Sequence, residues 1–227
     1  MKSTVALVRC ESYEIAAVKQ AVEKGIALLG GAQTFVRPGE RILLKPNILI
    51  GDPPEKCVTT HQAVFRAVIE TLQAAGAVLS YGDSPAFGTT ASAARKCGLA
   101  DVADELGVPL ANFQDGVEVS FDKGVQNKKF TIAKAILDND AVVSIPKLKT
   151  HGLEKFTGCV KNQFGCVPGM LKGEFHVKLP DPYRFARMLV DLNCLVSPRL
   201  YVMDGIYGME GNGPRGGNPK KMNILLF

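Results

Sequence analysis

The sequence has 227 residues, 46% of them hydrophobic and 22% charged, with no Trp. That apolar share suits a folded domain and excludes a disordered chain. The formal charge of +5 is spread thinly, in basic pairs such as Lys128-Lys129 and Lys220-Lys221, which excludes the basic stripe of a nucleic-acid binder.

Every apolar stretch is broken by Gly, Pro or a charge well short of the roughly 20 residues a membrane helix needs. Met1 to Arg9 holds too short an apolar run for a signal peptide. Six cysteines (10, 57, 97, 159, 166, 194) form no CxxC pair. Reduced thiols in a cytoplasmic protein are expected, and a zinc or iron–sulfur site built from these cysteines alone is not.

The elements alternate strand and helix along the chain. Thr4 to Val8 reads as a short strand. Ser12 caps a helix over 13–29, with Ile15, Val18, Val22, Ile26 and Leu29 on one stripe and Gly30-Gly31 as the stop. Arg41 to Leu44 is a strand ending at Lys45-Pro46-Asn47. Thr59 or Thr60 caps a helix carrying Val64, Phe65, Val68, Ile69 and Leu72. Ala77 to Tyr81 is the next strand, so the unit is βαβ with parallel pairing. A helical stretch follows from Thr89 or Thr90, interrupted at Gly98 and ended at Gly107. Residues 115–135 alternate in the manner of an inserted antiparallel hairpin.

Ala141 to Ile145 is a buried strand. Lys149 to Lys178 lacks a clean period and reads as a long functional loop with one short helix. Asp181-Pro182 starts a helix running to about Val196, Leu200 to Met203 is another strand, and 208–219 is a Gly/Pro/Asn-rich loop. Asn223 to Phe227 then resembles a strand with nothing after it, which points to a C-terminally truncated domain. The expected architecture is therefore one α/β domain over 1–227, a mostly parallel open sheet with flanking helices and a small hairpin insertion.

The polar residues follow the apolar strands. RILL leads to Lys45 and Asn47, and AVLSY leads to Asp83 and Ser84. AVVSI leads to Lys147, Lys149 and His151, and LYVM leads to Asp204 and then to Glu210 and Asn212. In a parallel sheet the carboxyl ends of all strands share one rim, so these clusters should converge in one crevice. Lys45, Lys147, Lys149 and Lys161 would hold a phosphate or carboxylate. Asp83, Asp204 and Glu210 would either ligate a hard divalent cation or move a proton. His61, at a helix start, should be neutral, and His176 reads as solvated. No GxGxxG, GxxxxGK[ST] or GxSxG run is present, so a dinucleotide fold, a P-loop and a nucleophile elbow are not expected.

The runs KPN at 45–47, TTH at 59–61, GDSP at 82–85, PKLKTHGLEKFTGCVKNQFGCVPG at 146–169 and MDGIYGMEGNGPRGG at 203–217 together resemble the family called domain of unknown function 362. The resemblance implies an α/β fold and a longer chain, often with a ferredoxin-like cysteine cluster attached elsewhere. This sequence has no CxxCxxC run, so the resemblance implies a 4Fe-4S cluster only through a domain or partner outside it. Lys45, Asn47, His61, Asp83, Lys147, Lys149, His151, Lys161, Asn162, Asp204, Glu210 and Asn212 are its motif positions.

Two functional expectations result. The first is an enzyme acting on a small anionic molecule, with Asp83, His151, Asp204 and Glu210 catalytic. Lys45, Asn47, His61, Ser84, Lys147, Lys149, Lys161, Asn162 and Asn212 would be ligand-binding, with a divalent metal compatible but unassigned. The second is a substrate- or cofactor-binding module of an iron–sulfur redox protein, whose partners would be a redox protein or a missing C-terminal domain.

Overall fold

The computed structural model describes residues 3–227. Its elements are β1 (Leu7–Arg9), α1 (Ile15–Leu28), β2 (Arg41–Pro46), α2 (Gln62–Ala74), β3 (Val78–Tyr81), α3 (Thr90–Lys96) and α4 (Leu99–Glu105). Next come β4 (Gly116–Ser120), β5 (Lys129–Ala133), α5 (Lys134–Leu137), β6 (Ala141–Ile145), β7 (Lys147–His151), β8 (Lys155–Thr157) and α6 (Cys159–Asn162). The chain closes with α7 (Leu171–Lys178), α8 (Pro182–Val196), β9 (Leu200–Tyr201), β10 (Met203–Glu210) and β11 (Asn218–Leu226).

The α/β class stands, but the single mostly parallel sheet does not. A four-stranded sheet, β3-β2-β6-β9, is parallel throughout. A five-stranded sheet, β1-β11-β10-β7-β8, is mixed, with only β10 and β7 parallel. The hairpin of β4 and β5 forms its own two-stranded sheet. The mixed sheet escapes the sequence because β10 contains the run DGIYG, which reads as loop. Those glycines sit in a strand because the neighbouring chain crowds them. A Cβ at Gly205 would lie 3.0 Å from the side chains of Ile224 and Leu148, and one at Gly208 would lie 3.1 Å from the Leu148 carbonyl.

The two sheets meet at a crease. β6 passes through Pro146 straight into β7, and β9 passes through Val202 straight into β10. These neighbours turn together: Val202 N–H donates to the Ser144 carbonyl and Asp204 N–H to the Pro146 carbonyl, both at 2.9 Å. Side chains of β2 alternate between two cores. Ile42 and Leu44 face α1 and α2, with Val22, Ile26, Phe65 and Val68. Leu43 faces the hairpin and α8, with Phe130, Phe185 and Met188. Burial on both faces is what a parallel strand with helices above and below requires.

Several boundaries and caps shift. α1 starts at Ile15 behind Glu14, with no side-chain cap from Ser12. The cap of α2 is His61, whose Nδ1 accepts from Ala63 N–H at 3.1 Å. Thr60 is instead used across the crease, bonding the Ile145 carbonyl and Asn47 N–H. α8 follows expectation, Asp181 accepting from Arg184 N–H at 2.9 Å. Segment 149–178 is not one loop but the β7–β8 hairpin, α6, a 3-10 turn and α7, pieces too short to show a period.

The last strand is also not bare. β11 pairs with β1 on one side and β10 on the other. Phe227 is 7% exposed, and its ring covers Gly25 of α1 so closely that a Cβ there would lie 2.2 Å from it. Phe227→Ala should therefore cost on the order of 3 kcal/mol, read as a lower urea midpoint. An unchanged midpoint would show that β11 does not seal the core.

Candidate functional site

The parallel register carries two polar segments to one rim. Leu44 pairs with Tyr81 and Pro46 with Ile145, so Lys45 and Asp83 emerge side by side. Lys45 has no solvent exposure, and its Nζ donates to Asp83 Oδ1 at 2.7 Å and to Asn162 Oδ1 and the Pro46 carbonyl at 3.3 Å. Asp83 also accepts from Ile48 N–H at 2.8 Å and Ser84 N–H at 3.0 Å. Asn162 reaches back to the Lys45 carbonyl and Ser144 Oγ. The backbone at Gly165 lies directly over this pair. A Cβ there would be 1.9 Å from Asp83 Oδ1 and 2.8 Å from Lys45 Nζ.

Above this floor opens a pocket of about 390 Å³. Of the residues singled out from sequence, Asn47, Asp83, Ser84, Lys149, His151, Lys161 and Asn162 line it, and Lys45 lies just behind. The glycine tip between β10 and β11 forms part of the wall through Pro214. That tip is seated by Gly213, where a Cβ would fall 2.0 Å from the Thr150 carbonyl. It is pinned by Arg215, which forks onto the buried Asp52 at 2.9 to 3.1 Å.

The wall is cationic and poorly hydrated. Lys149 is 2% exposed, its Nζ donates to the Val58 carbonyl at 2.6 Å, and burial and the cation Lys161 bring its pKa down to about 7. Burial likewise brings Lys161 down to about 8. Its Nζ lies 5.4 Å from the Phe164 ring and 6.0 Å from the Phe185 ring. Lys172 is brought down to about 8 by burial, although its Nζ reaches the Ser84 and Val167 carbonyls. Burial, with Lys161 and Lys149 nearby, brings His151 down to about 4, leaving it neutral. His151 Nδ1 accepts from both Leu153 and Glu154 N–H at 3.2 Å, so its proton sits on Nε2.

The remaining sequence candidates lie elsewhere. Lys147 and Asp204, both 0% exposed, form a separate pair at 2.8 Å. Tyr13 OH donates to Asp204 Oδ1 and accepts from Lys147, both at 2.8 Å. His61 stacks on Tyr13 with centroids 3.5 Å apart, and its backbone N–H donates to Asp204 Oδ2 at 3.0 Å. Burial brings the His61 imidazole down to about 4 and pushes the Tyr13 phenol well above its usual range. None of these four residues lines the pocket, because β7 passes the crease at Lys147 and only Lys149 and His151 reach the rim. Glu210 is an exposed partner of Lys220, and Asn212 is exposed on the glycine tip. Four clusters thus give one pocket and one buried network.

Lys172 and the apolar residues Leu49, Phe87, Phe164 and Met170 complete the pocket without having been singled out, and His176, read as solvated, lines it as well. Lys172 and His176 belong to α7, which has no amphipathic period to reveal it. His176 is exposed yet stacks on Phe185 at a centroid distance of 4.7 Å. The carboxylates expected to share a metal each bond a different lysine: Asp83 with Lys45, Asp204 with Lys147 and Glu210 with Lys220. Among the described residues no three His, Cys, Asp or Glu side chains gather in a set that could hold a metal ion.

The family model described as domain of unknown function (DUF362) matches residues 42–227, a span that holds both the pocket and the Lys147–Asp204 pair. The chain belongs to this family. It is also similar to the "Thylakoid-associated protein sll1697" of Synechocystis sp., at 37% identity over 226 residues, 99% of this chain and 70% of that protein. No helix among the described residues is long and apolar enough to cross a membrane.

Two outcomes test this electrostatic arrangement. Lys45→Met strands the buried Asp83 carboxylate and should cost about 3 to 5 kcal/mol, whereas Glu210→Gln, in an exposed pair, should leave the urea midpoint unchanged. Equal effects would contradict the buried floor. Below about pH 7 the folded chain must keep Lys149, Lys161 and Lys172 charged in a dry wall. As pH rises, the folded form sheds those protons first, because the unfolded chain holds them up to 10.5. The unfolded state then binds more protons, so stability should rise from about pH 7 to about pH 9. Buried thiols oppose this only above their ordinary 9.0. A flat urea midpoint across that window would show the lysines to be hydrated.

Proposed function

We propose that the protein is an enzyme acting on a small phosphate- or carboxylate-bearing molecule, held in the pocket at the strand ends. The observation that carries this reading is Lys161. Its ammonium lies in the pocket wall against two phenyl rings and has no hydrogen-bond or ion-pair partner among the described residues. A desolvated, unpaired cation is costly, and a bound anion offsets that cost.

The surroundings agree. Lys149 and Lys172 stand in the same wall, His151 offers an Nε2–H donor, and Asp83, the carboxylate in the pocket lining, is engaged by Lys45, while Glu154 acts on Lys161 only through space, without an ion-pair contact. Asn47 Oδ1 and Thr157 Oγ1 are buried in the lining without partners, which suits a ligand with hydroxyl or amine groups. Phe87 and Met170, 77% and 81% exposed, give the mouth an apolar edge for the carbon skeleton. Amines that titrate near neutrality support turnover rather than simple capture, since they can exchange protons at working pH.

Sulfate is a suitable probe because its charge is constant over the range of interest. It should raise the melting temperature of the wild-type protein and have no effect on Lys161→Gln. The effect should fade as pH rises through about 8, where Lys161 loses its proton beside Lys149, His151, His176 and Glu154. Equal sulfate shifts in the variant, or none from sulfate, phosphate or small carboxylates, would overturn the reading.

A further inference from the structure

Three lysines approach the strand ends from inside the sheets, and their nitrogens are held differently. Lys45 Nζ bonds three acceptors, one a carboxylate. Lys147 Nζ bonds a carboxylate and a phenol. Lys149 Nζ bonds one backbone carbonyl, that of Val58. An ammonium has three N–H donors, so a lysine kept only to satisfy that carbonyl would leave two donors buried without acceptors. No carboxylate pairs with it; burial and then the cations Lys161 and Lys147 disfavour its charged form, and the more distant carboxylates Asp83 and Asp52 oppose them only in part. The free amine fits this surrounding better than the ammonium does, and its pKa of about 7 agrees. A lysine desolvated beside other cations is the setting in which the amine becomes a nucleophile.

We propose that Lys149 is a covalent catalyst whose Nζ forms an imine with the carbonyl carbon of an oxo acid or keto phosphate, the anionic group of which rests on Lys161. This deepens the anionic-ligand reading and rests on it. The amine lone pair attacks the carbonyl carbon, a C–N bond forms, and the C=O π pair moves to oxygen, which takes up a proton. The two protons of the amine end on that oxygen, the first making the hydroxyl and the second letting it leave as water, while the nitrogen lone pair closes the C=N bond, so the products are imine and water with no change of oxidation level. His151, two residues along β7 and on the same face of the strand, has the proton on Nε2 to hydrogen-bond the developing oxyanion. The imine nitrogen, once protonated, draws electrons from the adjacent carbon, as proton abstraction or C–C cleavage next to a carbonyl requires.

The test uses the whole chain with pyruvate, 2-oxoglutarate and dihydroxyacetone phosphate as separate probes, each reduced with sodium borohydride. Intact mass and peptide mapping should show one equivalent of a reduced adduct, confined to Lys149, with at least one probe. Lys149→Arg should lose the adduct while keeping its sulfate-dependent melting shift. Lys161→Gln should still label at Lys149, but only at roughly tenfold or more higher probe concentration, the loss expected for one charge-assisted contact. No adduct with any probe, or adducts scattered over exposed lysines, overturns the imine. If sulfate still stabilises the wild-type protein in that case, only the covalent step fails. If sulfate also has no effect, the anionic-ligand reading fails with it. Because the wild-type map is decisive by itself, misfolding of a variant does not rescue the proposal.

Discussion

Two lysine–aspartate pairs sealed from water organise the rim of this fold. Each is surrounded by additional donors and acceptors, Asp83 by Ile48 and Ser84 N–H groups and Asp204 by Tyr13 and His61. That saturation makes a buried charge tolerable: a lone charge at either position would be strongly destabilising, and a pair with unfilled hydrogen-bond positions only less so. The pairs also act at a distance along the chain. Lys45–Asp83 ties the end of β2 to the end of β3, and Lys147–Asp204 ties β7 to β10 just past the crease. With those ends fixed, the loops between them have little freedom except to enclose the pocket.

The same arrangement explains how a chain of modest net charge presents a cavity lined by lysines. The acidic residues nearest the site are consumed by the floor and by the pin at Asp52. Lys161 and Lys149 are then left facing the cavity without an ion-paired carboxylate, Glu154 and Asp83 acting on them only from a distance. What matters is local pairing, and the overall composition gives no hint of it.

Much of this was legible in the sequence. The βαβ order, the span of α8, the 115–135 hairpin and the polar clusters after β2 and β3 all follow from periodicity and turn chemistry, and parallel pairing makes Lys45 and Asp83 converge. The second sheet was hidden because β10 carries glycines demanded by close backbone approach, a tertiary reason with no local signature. Lys147 and Lys149 show the limit of the rim argument. They are two residues apart on one face of a strand, yet the crease beneath Lys147 leaves it inside the protein while Lys149 reaches the cavity. Lys172 was missed, and His176 was read only as solvated, because the polar surface of α7 matches that of any solvated helix. His61 capping α2 where Thr59 or Thr60 was expected is a smaller case of the same kind, since the threonine was already committed to Ile145 across the crease.

Arg215 clamping Asp52 separates two properties that most cavities mix. The lysines and their aspartates belong to strands whose displacement would disturb both cores, so their positions are fixed by the stability of the whole fold. The tip that closes the cavity from above is attached by one forked ion pair, one glycine contact and one backbone hydrogen bond, Gly152 N–H to the Gly213 carbonyl at 3.1 Å. Substitutions in residues 211–217 can therefore reshape the opening, and with it the size of molecule admitted, while the charged interior stays as it is. A fold built this way can change the shape of its cavity mouth by altering a seven-residue strap.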